Sequence, residues 1–93
     1  MRLVWSLLAS GDLDRLQTFL AFVDLEASER LADFLGKAPA ALLDFPRRGP
    51  RLFAFDPREV RELRVQRYVL RYEVRDDQIV LLRIFQLRED RSR

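Results

Sequence analysis

The side chains in this sequence best suited to chemistry are arginines, and Arg71, Arg83 and Arg88 all fall in its last quarter. Arginine stays protonated near neutral pH, so such a set stabilises negative charge on a phosphate or carboxylate but does not readily accept a proton. Cysteine and histidine are both absent. Thiolate and histidine-assisted nucleophiles are therefore excluded, and a zinc or iron site would need carboxylates alone. Acid–base work is left to Asp, Glu, Lys37 and the two tyrosines. Neither a metal nor any other cofactor is expected.

Arg83 raises a question of position. It interrupts Ile79-Val80-Leu81-Leu82-Arg83-Ile84-Phe85, which otherwise has the composition of a buried strand. An unpaired charge in the interior costs several kcal/mol, a large share of the roughly 5–15 kcal/mol by which small domains are stable. Arg83 must face outward or meet a partner.

The elements that would position it follow from periodicity. Arg2-Leu3-Val4-Trp5 reads as a short strand, and Ser6 is an N-cap for a helix beginning at Leu7. Leu13, Leu16, Phe19, Leu20 and Val23 recur at helical spacing, which predicts an amphipathic helix to about Phe22 or Val23, with Gly11 weakening its start. Ala27, Leu31, Phe34, Leu35, Ala38, Leu42 and Phe45 predict a second helix after Asp24, kinked or restarted near 36–39 by Gly36 and Pro39. The short link between the two makes an antiparallel helical hairpin. From Val60 onward apolar and charged residues alternate, predicting three strands in an antiparallel meander. The fold class is α+β: a short N-terminal strand, a helical hairpin, and a meander with one face against the helices.

Side-chain alternation then places Arg83. Tyr68, Leu70, Tyr72 and Val74 form the apolar set of their strand, as do Val80, Leu82 and Ile84 of the next, so even-numbered residues are expected to face the helices. Both sets share a face if three residues connect the strands, or if a bulge follows a two-residue Asp76-Asp77 turn. Arg83 then lies opposite Arg71, beside Glu73, on the open face. A simple two-residue turn instead places Arg83 opposite Leu70, toward the helices, where it needs a carboxylate such as Asp12 or Asp44.

Composition bounds the rest. The 93 residues are 48% hydrophobic and 34% charged, which fits one globular domain spanning 1–93. No apolar run approaches the roughly 20 residues of a membrane span, and no export signal is visible, so a soluble, cytoplasmic protein is expected. Residues 1–46 carry Arg2, Arg15, Arg30 and Lys37 against seven acids, whereas residues 47–93 carry thirteen arginines against eight acids. The C-terminal half is thus the one suited to an anionic partner, although codon bias equally explains why arginine replaces lysine nearly everywhere.

Several motifs in this order resemble the RelE/ParE superfamily of bacterial toxins, and its ParE branch more closely. They are Trp5-Ser6-x-x-Ala9-x-x-Asp12-Leu13-x-x-Leu16, then Leu42-x-x-Phe45-Pro46-Arg47-x-Gly49, then Val60-Arg61-Glu62-Leu63 with Arg67-Tyr68-Val69-Leu70-Arg71-Tyr72, and finally Leu82-Arg83-Ile84 with Arg88-Glu89-Asp90-Arg91. The resemblance implies a toxin of a type II toxin–antitoxin system that poisons DNA gyrase by binding and is neutralised by a cognate antitoxin. Arg71, Arg83, Arg88 and Arg91 would meet the target. Leu13, Leu16 and Leu20 would meet the antitoxin. The superfamily also includes ribosome-dependent messenger RNA endoribonucleases, for which Arg71, Arg83 and Arg88 would be the catalytic set, and an inert antitoxin-binding member is a third reading. Two departures are visible. Gln86-Leu87 stands where relatives commonly carry a histidine and a small residue, and Pro39 stands where they lack proline. The missing histidine argues against RNA cleavage.

Overall fold

Ser6 ends the first strand and starts the first helix with one hydroxyl. In the computed structural model, which describes residues 1–87, strand β1 (Arg2–Trp5) leads into helix α1 (Leu7–Ala21). The Ser6 Oγ accepts the Ala9 N–H at 3.0 Å and donates to the Leu82 carbonyl at 2.9 Å. Helix α1 runs unbroken through Gly11. Helix α2 (Leu25–Lys37) starts at Asp24, whose carboxylate accepts the Ala27 N–H at 3.1 Å. The chain then tightens into a 3₁₀ helix, Ala38–Leu43, with Pro39 in its first turn. A proline there displaces no intrahelical donor, so the expected restart takes the least strained form.

A second 3₁₀ turn, Phe53–Phe55, precedes strands β2 (Val60–Val65), β3 (Tyr68–Val74) and β4 (Gln78–Gln86). The sheet order is β1-β4-β3-β2, with β1 parallel to β4 and the other pairs antiparallel. The meander is as expected. The parallel seat of β1 beside β4 is an addition that its four residues do not specify.

The expectation for β4 is half corrected. Arg75 N–H donates to the Gln78 carbonyl, so Asp76 and Asp77 form a two-residue turn, and Val74, Glu73 and Tyr72 face Ile79, Val80 and Leu81. The register then shifts and Arg71 faces Arg83, leaving Leu82 as the extra residue of a bulge. Ile79 and Leu81, which the simple alternation sent to the open face, are therefore in the core, and Val80 is not among the core side chains. Ile84, after the bulge, is in the core as expected. The physical reason is the location of the bulge: it follows Leu81 rather than the turn, so the strand changes phase midway.

The core lies between the sheet and the helical hairpin. Ala9, Leu16, Leu31 and Leu35 meet Leu70, Tyr72, Ile79, Leu81 and Ile84, with Leu42 closing the end. The other sheet face also holds buried residues, Val60, Val69, Glu73 and Val80.

Candidate functional site

Arg83 lies opposite Arg71 in the ladder, yet its side chain reaches α1. Its Nε donates to Asp12 Oδ2 at 2.8 Å and its Nη2 to Oδ1 at 3.0 Å. The route is open because β1 stops pairing at Leu81, leaving the β4 edge uncovered by a strand beyond that point. Along an antiparallel ladder successive N–H groups alternate sides, and that of Ile84 points to this edge. Asp12 Oδ2 accepts it at 2.9 Å. Arg15 adds a fourth bond, Nη1 to Oδ1 at 3.2 Å. The carboxylate thus stands in for the missing strand and neutralises the arginine.

Asp12 is only 2% exposed. Burial is the largest single influence on its carboxyl and pushes its pKa up, but Arg83, the Ile84 N–H and Arg15 together outweigh it and hold the group below the ordinary carboxylate value. An ionised carboxylate with four donors is well placed to orient a guanidinium. It is a poor general base, since its lone pairs are occupied and its pKa has moved away from neutrality.

Arg71 and Arg83 are linked through an aromatic ring. The Arg71 guanidinium lies 4.9 Å from the Phe85 ring centre and 5.4 Å from that of Phe55, and Arg83 lies 5.2 Å from Phe85. Arginine faces stack favourably on aromatic rings, and the ring spaces two like charges that would otherwise be directly opposed. Arg71 also pairs with Glu62 on β2, Nε to Oε2 at 2.7 Å. The result is a row, Phe55, Arg71, Phe85 and Arg83, in which Glu62 holds Arg71 and Asp12 holds Arg83.

Glu73, expected beside Arg83, is instead held by two other arginines. Arg58 donates to both its oxygens, at 3.2 and 3.0 Å, and Arg75 donates at 3.0 Å. The Arg58 hydrogen bond is the largest influence and holds the Glu73 carboxyl below its ordinary value, against the effect of burial. Tyr72 is fully buried, and its hydroxyl accepts the Gly49 N–H at 3.0 Å. Burial pushes its pKa up, so it is fixed in a structural task.

Of the residues singled out in the sequence, Arg71 and Arg83 are brought together, while Arg88 and Arg91 lie outside the described residues. Leu16 is a core side chain, 6% exposed. Leu13 and Leu20 are partly buried against the core. Leu20 also lines a groove of about 520 Å³ with Leu31, Phe34 and Tyr68, flanked by Arg30 and Arg67. Sequence reasoning missed Phe55, Glu62 and Phe85, and it held Asp12 only in reserve. The signal for Asp12 was available: Ala9, Asp12 and Leu16 share one helix face, so a carboxylate sits within the buried stripe.

The model of one protein family, "ParE toxin of type II toxin-antitoxin system, parDE", matches residues 3–91. The chain belongs to the ParE toxin family. The match spans all the elements that build the arginine row and the Leu20 groove. Among solved structures, the chromosomal ParDE TA system from P. aeruginosa contains a chain of the same fold, with TM-score 0.78 and 21% sequence identity, covering 92% of this chain and 95% of that one. No curated protein matches the chain. No helix among the described residues is long and apolar enough to cross a membrane.

Proposed function

We propose that this ParE-family chain poisons DNA gyrase in the cytoplasm by binding it, without cutting a substrate, and that a cognate antitoxin masks it. Membership of the family supports a toxin role and an antitoxin partner. One observation favours binding over catalysis: among the described residues, the carboxylates that meet the central arginines, Asp12 and Glu62, are tied to Arg83 and Arg71. Cleavage of RNA needs a group that takes a proton from the ribose hydroxyl, and neither an occupied carboxylate nor an arginine does that well. Arg71 and Arg83, preorganised by the Phe85 stack, form the target-binding set together with Arg88 and Arg91.

The antitoxin contact falls on the Leu20 groove. Its apolar floor and flanking Arg30 and Arg67 suit an amphipathic segment bearing acidic residues. Inducing the protein in cells and mapping cuts in translated messages, alongside supercoiling by gyrase in vitro, tests the reading. Inhibited supercoiling without cuts is the expected result. Cuts with normal gyrase activity would overturn it in favour of ribosome-dependent cleavage, and neither effect would leave an inert antitoxin-binding protein.

A further inference from the structure

The tip of the helical hairpin leaves Phe19, Phe22, Val23 and Leu25 exposed, four large apolar side chains within seven positions, with Phe22 at 86%. Singly exposed apolar residues need no explanation, but a contiguous run marks a contact surface. Beside it, a groove of about 430 Å³ runs between α1 and α2. Ala21, Phe22 and Leu25 supply its apolar part, Asp14 and Glu29 supply carboxylates, and no cation lines it. The fitting partner carries an apolar anchor next to a positive charge.

The same chain carries such a feature elsewhere. Phe45 is 65% exposed at the corner that follows the first 3₁₀ helix, in a hollow lined also by Asp44, Pro46, Arg47 and Arg48. Glu59 holds Arg47 through two hydrogen bonds, at 2.8 and 3.0 Å. Arg48 is exposed and is the cation best placed to reach outward. Groove and corner belong to opposite ends of α2, whose 13 residues span about 20 Å. One copy cannot bring them together.

We propose that the two features meet between copies: Phe45 of one copy seats in the α1–α2 groove of another, with Arg48 against Asp14 and Glu29. Charge selects this occupant. An anionic lipid surface would be repelled by the carboxylates, and two hairpin tips packed symmetrically would oppose carboxylate to carboxylate. Exchanged reciprocally about a two-fold axis, the two equivalent contacts make one isologous interface and close a dimer. It uses neither the arginine row nor the Leu20 groove, so it stands apart from the gyrase and antitoxin readings.

Sedimentation velocity of the purified full chain tests this at about 50 mM and about 500 mM NaCl, where the screening length falls from roughly 14 to 4 Å. Association at low salt is expected to weaken at least about tenfold at high salt. Glu29→Arg and Arg48→Glu should each weaken it about tenfold or more, near 1.4 kcal/mol, and the double variant should recover most of the loss. Both residues are exposed, and cooperative urea unfolding of each variant checks that it still folds. If either does not, Asp14→Lys with Phe45→Ser serves as the second set, each expected to weaken association. A monomer at both salt concentrations, or association that survives the reversals, overturns the proposal.

Discussion

Asp12 binds both the side chain of Arg83 and the main chain of its neighbour, since the oxygen that accepts Arg83 Nε at 2.8 Å also accepts the Ile84 N–H at 2.9 Å. Helix α1 is thereby fastened to β4 just past the bulge. The pair is unequal in exposure: the Arg83 side chain is 35% exposed and Asp12 is almost fully buried. Removing either partner therefore has different consequences.

Asp12→Ala removes the carboxylate that accepts both the Ile84 N–H and the Arg83 Nε and should lower the unfolding free energy by about 3–5 kcal/mol, in the range for broken buried pairs. Arg83→Ala leaves the carboxylate with Ile84 and Arg15 and exposes less unpaired charge, so about 1–3 kcal/mol is expected. Urea unfolding of the two variants checks the order. An Arg83→Ala loss equal to or larger than that of Asp12→Ala would contradict it.

Acid should weaken the fold through three carboxylates. Asp12, Glu59 and Glu73 all have folded-state pKa values below their ordinary values of 3.8, 4.5 and 4.5. For Glu59, burial is the largest influence and opposes the shift, while Arg61 and Arg47 overcome it. A depressed pKa means that the unfolded chain binds protons first, so the stabilisation is complete above the ordinary values and is lost as pH falls through the folded ones. Unfolding measured from pH 7 to pH 3 should show a plateau above about pH 5 and a decline below it. Asp12→Asn should be less stable at neutral pH and should decline less steeply.

The Gly49 corner allows little change. A Cβ at Gly49 would collide with the Glu62 carbonyl, and the two backbones are tied close by, where the Glu62 N–H donates to the Pro50 carbonyl at 3.1 Å. Gly49→Ala should therefore destabilise by more than Tyr72→Phe, which only orphans the Gly49 N–H and should cost about 1–2 kcal/mol. Thermal unfolding of both variants gives the comparison, and equal losses would indicate that the corner relaxes.

Ser6→Ala removes the α1 cap and the donor to Leu82 in one step, so a loss of about 1.5–3 kcal/mol is expected, more than a cap alone provides. Ser6→Gly restores neither bond and tests the same point. Hydrogen exchange at Ala9 and around Leu82 should accelerate together in either variant. Acceleration at Ala9 alone would show that the bulge stands without the hydroxyl.

How legible these relationships were in the sequence depended on distance along the chain. Helix caps at Ser6 and Asp24, the Pro39 restart and the alternation of β3 follow from neighbours within a few residues, and they were readable. The facing of Arg71 and Arg83 was readable too, because it needed only the turn and one bulge. The site of that bulge was not. Leu82 is no glycine, and what stabilises its carbonyl is Ser6, seventy-six positions away. The seat of β1 was hidden for a related reason: four residues with their partner at the other end of the chain carry no local mark of parallel pairing. Asp12 stood within the buried stripe of its helix, but the donors that hold it, Arg83 and the Ile84 N–H, come within reach only once the sheet has formed.

The bulge at Leu82 divides β4 into two halves written in opposite phase. Substitutions on either side leave that phase untouched, since a side-chain exchange does not change the count of residues. A deletion does. Loss of Leu82 alone would put Leu81, Arg83 and Ile84 in plain alternation opposite Tyr72, Arg71 and Leu70, so Ile84 would stay in the core and Arg83 would still face Arg71, while the carbonyl that the Ser6 hydroxyl holds would be gone. One missing codon would thus straighten the strand and unfasten it from the start of α1, so the extra residue between Leu81 and Arg83 serves the seam between β4 and Ser6 rather than the facing of Arg83.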